Sequence, residues 1–297
     1  MNDRKRQVLL TAQHLFMEKG FQAVSVQDIL AESKISKGTF YNYFSSKNEC
    51  LMAILEHAHE DASIRRRELQ IGQDISNKDV LAEQISIRMQ VNRENNLFPL
   101  FEAVFHSGDQ ELSDFVKKHH LAEVSWITKR LVDIYGKEAA PYAPDCAVLL
   151  LGMVQHMSHV WMAGSKELVD NAKLIYFIMR RMDSIVANMI DTKDLFLGEE
   201  VLSNLYRGLD TKPNSREELR EQLNGFQMAL DADNRHSGME YIHFLMDELN
   251  AEHPRVFLIE TVTRSFIEAF VGTDDGEEAR EIASKLWGFI DTINKDE

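Results

Sequence analysis

Residues 25–44, SVQDILAESKISKGTFYNYF, decide the fold of the N-terminal part of this chain. Ser25 has the spacing of a capping box to the acid three residues later, which predicts a helix over about 26–33. Ser36 can cap a very short third helix over residues 37–43. Two short helices joined by a turn of about four residues are the arrangement of a helix-turn-helix.

The short helix has two different faces when its residues are spaced at about 100° each. Phe40 and Phe44 fall on one side, where we expect them to plug the core. The opposite side is small, polar and aromatic and carries no carboxylate; it presents Gly38, Thr39, Asn42 and Tyr43, with Lys37 at the N-terminal rim and Tyr41 on the flank. Such groups reach base edges and phosphates, so this face predicts contact with DNA.

Lys47 lies in the first turn of a predicted fourth helix, which Ser46 and Glu49 open as a capping box and which runs to about Ile71. Acidic residues are usual in a first turn, and a phosphate lying across it would explain the lysine. The arginines at 65–67 lie near the C-terminal end, where cations favour the helix dipole, and we interpret them in that way rather than as DNA contacts.

The distribution of charge is uneven along the chain. The net charge is −15 over 297 residues, but residues 1–68 carry a net +1 and the remainder carries −16. This asymmetry is typical of a small DNA-facing module on an acidic body.

The remainder of the chain has few glycines and prolines, which favours long helices. Apolar spacing after a loop at 72–79 predicts helices near 80–95, 98–106, 110–135, 143–163 and 166–191, and then near 196–209, 215–231, 237–250, 255–271 and 276–294.

Two of these helices are apolar on more than one face: AVLLLGMVQHMSHVWM at 147–162 and KLIYFIMRRMDSIVANMI at 173–190. A helix of this kind must be covered on two sides. We therefore predict a dimer interface, built as a four-helix bundle from residues 143–191. The alternative is that both are central helices of a large monomer.

The run from Gly20 to Lys47 resembles the DNA-binding domain of the TetR/AcrR family of bacterial transcriptional regulators. The resemblance covers about residues 5–60, and its Ser-Lys-Gly-Thr-Phe-Tyr core at 36–41 is specific. It implies an all-α homodimer whose N-terminal helix-turn-helix reads a palindromic operator in double-stranded DNA. It also implies a divergent helical domain with an effector pocket and the dimer interface, and a repressor that a small molecule releases.

The resemblance also implies residue roles. By position, phosphate contacts are expected from Lys37, Tyr41 and Lys47, and base-edge contacts from Gly38, Thr39 and Tyr43. Lys34 stands where the family often has glycine, so it must adopt a left-handed conformation or shift the turn, and it could add a phosphate contact. The candidate DNA-binding residues are Ser25, Val26, Lys34, Ser36, Lys37, Gly38, Thr39, Tyr41, Asn42, Tyr43 and Lys47.

These arguments predict an all-α fold in three parts. Residues 1–48 are the helix-turn-helix domain, with the fourth helix linking it to the body up to about residue 71. Residues 72–192 are the effector-binding and dimerisation domain. Residues 193–297 are an additional helical segment, since typical family members end near Thr192; it is either a separate domain or an extension packed on the preceding bundle.

The predicted effector is hydrophobic or amphipathic, because the candidate pocket walls are aromatic or flexible and apolar. They are Phe98, Phe101, Phe105, Trp126, Met153, Met157, Trp161 and Tyr176. The methionines in 143–191 suit a dimer interface as well as a pocket.

No enzymatic activity, cofactor or metal site is expected. The sequence has no nucleophile elbow, phosphate loop or dinucleotide fingerprint, and two cysteines form neither a zinc cluster nor a disulfide framework. His156 and His159 are interpreted as core or interface residues, since no further ligand accompanies them at metal-binding spacing.

No apolar run of bilayer-spanning length and no secretory signal are recognised, so we predict a cytoplasmic protein with no membrane partner. An alternative function is a helical sensor that acts through protein contacts, its DNA-binding role having been lost.

Overall fold

The computed structural model describes residues 3–206, 215–230 and 235–296, and every regular element in these ranges is helical. The N-terminal helices are α1 (Asp3–Lys19), α2 (Val26–Ser33), α3 (Lys37–Tyr43) and α4 (Lys47–Gln70). The middle helices are α5 (Lys78–Glu94), α6 (Phe98–Ser107), α7 (Gln110–Tyr135), α8 (Ala143–Gly164) and α9 (Asn171–Thr192), with a 3₁₀ turn at Lys137–Ala139. The last helices are α10 (Glu199–Tyr206), α11 (Arg216–Ala229), α12 (Arg235–Asn250), α13 (Val256–Ala269) and α14 (Gly276–Asp296). The predicted all-α fold is confirmed.

The chain divides into two compact units. The first unit consists of residues 1–14, 25–71 and 211–297, and the second of residues 15–24 and 72–210. The sequence left the placement of residues 193–297 open, and the contacts group 211–297 with the helix-turn-helix residues.

Helices α11–α14, which we name the C-terminal bundle, have an aromatic core. Phe226, Phe266 and Phe270 form three edge-to-face pairs with ring centroids 5.0–5.6 Å apart. The Phe270 ring lies directly on Gly238 of α12, where an added Cβ would come within 2.1 Å of the ring. Ile64 of α4 is buried in this same core, so α4 is a structural part of the bundle.

The second unit is built around α5, α7, α8 and α9. Its buried core includes Leu81 of α5, Ile127 of α7, Leu150 of α8 and Met182 of α9. On one side of this core the Asp183 carboxylate accepts hydrogen bonds from Lys78 at 2.5 Å and from the Tyr135 hydroxyl at 2.8 Å.

Helix α8 has an apolar face that the described residues do not cover. Its exposed large apolar side chains are Val148, Leu149, Met157, Val160, Trp161 and Met162. An 18-residue window of this helix has a mean hydropathy of 1.3, and 22% of that window is buried. Contrary to our expectation, α8 is therefore long and apolar enough to span a bilayer by length and composition. A soluble helix whose outer face packs on a partner meets the same criteria.

The start of α9 differs from the prediction by five residues. Asp170 is the N-cap, and its side chain accepts a hydrogen bond from the Lys173 backbone N–H at 3.0 Å. Residues 166–170 are therefore not helical, because a side-chain cap fixes the first turn after them.

Candidate nucleic-acid interface

Helix α2 is fixed at both ends by local contacts. At its N-terminus the predicted capping box is present: the Asp28 N–H donates to Ser25 Oγ at 3.2 Å, and the Ser25 N–H donates to Asp28 Oδ2 at 2.8 Å. Val26, the first helical residue, is half-buried. Lys34 ends the helix in a left-handed conformation with φ 53°, which is the first of the two outcomes expected for this position.

Helix α3 begins at a side-chain cap. Ser36 Oγ accepts a hydrogen bond from the Thr39 backbone N–H at 3.1 Å and lies 2.8 Å from Thr39 Oγ1. The predicted bounds, Lys37–Tyr43, are the observed ones. The contact with Ser36 therefore fixes the direction of the Thr39 hydroxyl and leaves its methyl group facing away from this bond.

The inner face of α3 is held by two phenylalanines. Phe40 and Phe44 are 0% and 2% exposed, and their ring centroids are 5.5 Å apart. Tyr41 and Tyr43 each pack edge-on against one of these rings, at 5.5 and 6.3 Å. The aromatic contacts therefore fix both the rotation of α3 and the directions of its two tyrosines.

The outer face of α3 presents the side chains that the sequence placed there. Lys37, Gly38, Tyr41 and Asn42 are exposed, and Thr39 and Tyr43 are half-buried. Tyr41 is 45% exposed, although an aromatic side chain usually lies inward. The helix contains no acidic residue, so its surface does not repel phosphate.

The backbone and packing of the chain do not explain Gly38. It has an ordinary helical conformation with no positive φ. An added Cβ would meet only Ser36 Oγ, at the ordinary contact distance of 3.8 Å. Alanine would fit here and would favour the helix by roughly 1 kcal/mol in a helix interior. Neither backbone conformation nor packing within the chain therefore accounts for glycine at position 38.

The basic side chains lie around this face. Lys37 Nζ is 5.8 Å from the Tyr41 ring centroid, and Lys34 is exposed at the turn before it. Lys47 opens α4 and is half-buried; burial lowers the pKa of its ammonium group. Lys5 of α1 lies over the Phe44 ring at 5.5 Å, close to the end of α3. Sequence reasoning missed Lys5, and the cationic run at 4–6 was the signal that could have identified it.

The capping box predicted at Ser46 and Glu49 is only half present. Ser46 Oγ accepts from the Glu49 N–H at 3.0 Å, but the Glu49 carboxylate accepts from the Ser45 N–H rather than from Ser46. The hydrogen bonding to Ser45 lowers the pKa of Glu49. The acidic residue in the first turn of α4 therefore has its carboxylate hydrogen-bonded to the backbone before the helix.

The eight predicted effector residues do not converge on one cavity among the described residues. Met157 and Trp161 line a shallow cavity of about 500 Å³ at the end of α8, where the Trp161 indole N–H donates to the Glu167 carbonyl at 2.9 Å. Three others are half-buried and pack on the core of the second unit: Trp126, Met153 and Tyr176. Phe98 is exposed and Phe101 is half-buried. The Phe105 side chain lies outside the described residues.

A second cavity, of about 510 Å³, was not foreseen. It is lined mainly by apolar side chains, with Asp145, Asp194 and His120 as its polar members. Its remaining walls are Leu121, Val124, Val148, Leu149, Met189, Phe196, Leu197 and Leu202. Asp145 accepts hydrogen bonds from the backbone N–H groups of Phe196 and Leu197 at 3.2–3.3 Å, which fixes the segment that closes one side.

His156 and His159 are exposed on α8. Across the residues that the structure describes, no group of three or more His, Cys, Asp or Glu side chains is placed to hold a metal ion.

Comparison with known proteins identifies the same segment. Residues 8–54 match the family model for bacterial regulatory proteins of the tetR family. The HTH-type transcriptional regulator YuxN of Bacillus subtilis (strain 168) is 26% identical over 290 residues, which cover 94% of this chain and 97% of YuxN. Most of residues 193–297 therefore have a counterpart in this relative. No solved structure matches the chain.

Two further relatives carry similar names. The HTH-type transcriptional regulator YerO of the same organism is 28% identical over 209 residues, covering 66% of this chain and 71% of YerO. The HTH-type transcriptional regulator EthR of Mycolicibacterium smegmatis (strain ATCC 700084 / mc(2)155) is 40% identical over 55 residues, covering 18% of this chain and 25% of EthR. Together with the geometry of α2 and α3, these matches show that residues 8–54 form a DNA-binding domain of the tetR family type, and the two longer relatives are named as transcriptional regulators.

Proposed function

We propose that the protein is a ligand-responsive repressor that binds a palindromic operator as a homodimer and is released by a small hydrophobic or amphipathic effector. The observation that carries this proposal is the outer face of α3. It combines exposed polar groups, no carboxylate and a glycine for which packing within the chain gives no reason. A duplex lying against this face supplies that reason, because the missing side chain lets the backbone approach a base or sugar closely.

Each candidate residue has a role in this arrangement. Lys37, Tyr41 and Lys47 hold phosphates, with Lys34 as an additional contact. Base edges are read by the outer face of α3: Gly38, Thr39, Asn42 and Tyr43. The two serine caps, Ser25 and Ser36, and the neighbouring Val26 lie where α2 and α3 begin, beside the DNA backbone. Phosphate contacts set the register of the protein, and the base contacts set the sequence that it selects.

The dimer is supported by the uncovered face of α8. A row of large apolar side chains on the outer surface of a long helix is unusual in a monomer. A second copy can pack its own α8 and α9 against this face of α8. If a two-fold axis relates the copies, the contact covers the outer face of α8 in both of them. Two recognition helices related in this way bind half-sites about 34 Å apart, one turn of DNA.

We propose that the effector binds in the second unit. The cavity beside Asp145 has about 510 Å³ and mostly apolar walls, which suits a drug-sized amphipathic molecule. An effector lowers operator affinity only by the difference between its affinities for the DNA-bound and released conformations. A hundredfold preference for the released form shifts operator affinity by about 2.7 kcal/mol.

A cavity-filling substitution tests this placement. Leu121→Trp reduces the space beside Asp145, and Met157→Trp reduces the shallow cavity at the end of α8. With Nile red, a neutral hydrophobic dye, as the probe, we expect Leu121→Trp to weaken dye binding and dye-induced operator release at least tenfold, leaving operator affinity within twofold. Loss of the response in Met157→Trp instead would place the effector in the other cavity.

Selection of DNA from a random-sequence pool tests the function itself. The purified protein should enrich a palindrome whose half-sites are about 10 base pairs apart. A protein that enriches no duplex would support the alternative of a sensor acting through protein contacts. The proposed activity requires chromosomal DNA, so we propose that the protein is cytoplasmic. Binding and release of DNA need no enzymatic activity, and we propose none.

A further inference from the structure

The C-terminal bundle holds two helices of the DNA-binding region through one carboxylate. Glu277 of α14 lies 3.2 Å from His57 Nε2 of α4 and 3.5 Å from Arg6 Nε of α1. The side chain of Glu277 is 20% exposed, so these pairs are partly shielded from water. A hydrogen bond to Glu277 raises the pKa of His57, which keeps the imidazole protonated to a higher pH.

One to three turns further along α4, a second set of contacts continues the same attachment. Arg280 of α14 pairs with Asp61, which also accepts from Arg65 at 2.8 Å. Arg67 pairs with Glu260 of α13 at 3.1 Å. Ile64, between these charged residues, is buried in the core of the bundle. The bundle thus contacts α4 over about three turns.

The held helices are the ones that carry the recognition helix. Helix α4 begins at Lys47, three residues after Phe44, the C-cap of α3. On α1, Arg6 follows Lys5, and Lys5 lies over the same Phe44 ring. Phe44 therefore links the end of α3 to α1 through Lys5 and to α4 through the three-residue connection.

We propose that Glu277 and Arg280 are positioning residues for operator binding, through which the C-terminal bundle fixes α1 and α4 and so sets the orientation of α3. This rests on the proposed function, since it assigns the bundle a part in reading DNA. Neither residue contacts DNA; each acts through Arg6, His57 or Asp61.

Simple electrostatics predicts the opposite effect. Glu277→Gln removes one negative charge, and long-range repulsion alone would then make DNA binding tighter. Positioning predicts weaker binding, because Arg6 and His57 lose their shared partner. The sign of the change therefore separates the two explanations.

The test compares the full-length chain with three variants on a duplex selected by the wild-type protein. We expect Glu277→Gln to weaken operator binding three- to tenfold and Glu277→Asp to recover most of it. Glu217→Gln is the matched control, because among the described residues Glu217 pairs only with Arg220, and its side chain is far more exposed than that of Glu277. We expect the control to bind within twofold of wild type.

A second readout does not depend on DNA. Glu277→Gln should lower the pKa of His57 measured by NMR, and amide exchange of α1 and the first half of α4 should become faster. The groups facing His57 are Glu277 from α14 and Glu60 from α4, with Arg6 of α1 on the far side of Glu277. Below its pKa, protonated His57 holds Glu277, so wild-type operator affinity should fall as pH rises through that pKa and the variant should be less sensitive.

Operator binding by Glu277→Gln that equals or exceeds wild type would overturn the proposal, as would unchanged amide exchange. A wild-type protein that selects no duplex would refute the regulator function instead. In that case the exchange measurement still decides whether Glu277 holds α1 and α4.

Discussion

Gly38 shows how a single residue separates the requirements of folding from those of binding. A glycine inside a helix destabilises it by roughly 1 kcal/mol relative to alanine, and a glycine near the first turn destabilises it less. Among the residues that the structure describes, five other glycines have positive φ, and Gly238 is required by the Phe270 ring. Gly38 has neither feature. Its cost to the fold is explained if a base or sugar occupies the space of the missing side chain.

Gly38→Ala should therefore leave the thermal midpoint unchanged or slightly raised and weaken operator binding at least tenfold. The added methyl group makes no steric clash within the chain, but it would clash with a duplex lying against α3. Fluorescence anisotropy with a labelled operator, together with thermal unfolding, gives both quantities.

Gly225→Ala is the matched control, because Gly225 is also an exposed helical glycine with open space around its Cα. It should bind operator as wild type does. If Gly38→Ala bound as tightly as this control, the close approach at Gly38 would be refuted.

At the scale of elements, the interface between α4 and α14 carries unfavourable charge at Glu60. Burial, together with the neighbouring carboxylates of Glu56 and Glu281, raises the pKa of Glu60 to about 7, against the smaller opposing effects of His57 and Lys285. A carboxyl group with a raised pKa in the folded state favours folding while it is protonated. That contribution is lost as pH rises from the unfolded value near 4.5 through about 7.

Glu60→Gln should therefore stabilise the protein at pH 8 by about 1–2 kcal/mol, a figure reduced for the solvent that reaches this partly exposed side chain. The advantage should narrow toward pH 5 and disappear below about pH 4.5. Urea unfolding at several pH values measures it, with Glu217→Gln as the control. A gain that does not depend on pH would show that the ionisation of Glu60 is not its source.

Caps and apolar spacing predicted the bounds of most helices well. They did not predict which helices pack against one another. The bounds of α3 and α7 were predicted from the Ser36 cap and the apolar spacing, because a cap and a stripe act within a few residues. The start of α9 was wrong, since the Asp170 cap was overlooked. The docking of α14 on α4 joins residues more than 200 positions apart, such as Asp61 and Arg280, and no local pattern encodes it.

The candidate site follows the same division. The outward direction of Gly38 and Asn42 came from helical periodicity and the burial of Phe40. The approach of Lys5 to Phe44 depends on how α1 crosses α3, so the sequence did not reveal it. The effector residues were chosen by composition alone, and composition does not say which side chains meet around a cavity.

At the scale of the whole molecule, an acidic body carries a near-neutral DNA-binding end. The net charge of −16 beyond residue 68 limits non-specific attraction to DNA, so the proposed operator affinity depends on two correctly spaced half-sites. The proposed function therefore requires dimerisation.

Val160→Glu should produce a monomer with operator affinity at least a hundredfold weaker, because Val160 is 72% exposed on the outer face of α8. Val271→Glu is the control, since Val271 is 69% exposed in the turn after α13. Sedimentation velocity separates the two outcomes. A Val160→Glu protein that remains dimeric would exclude this face of α8 as the interface.

The most direct test of the account is the salt dependence of operator binding by the Lys37→Ala, Tyr41→Ala double variant. Two phosphate contacts from Lys37 are lost per dimer, so the slope of log affinity against log salt should fall by about 1.8. We predict this fall together with an affinity loss of at least a hundredfold and an unchanged dimer mass. A variant with the wild-type affinity and slope would contradict the claim that the outer face of α3 lies on DNA.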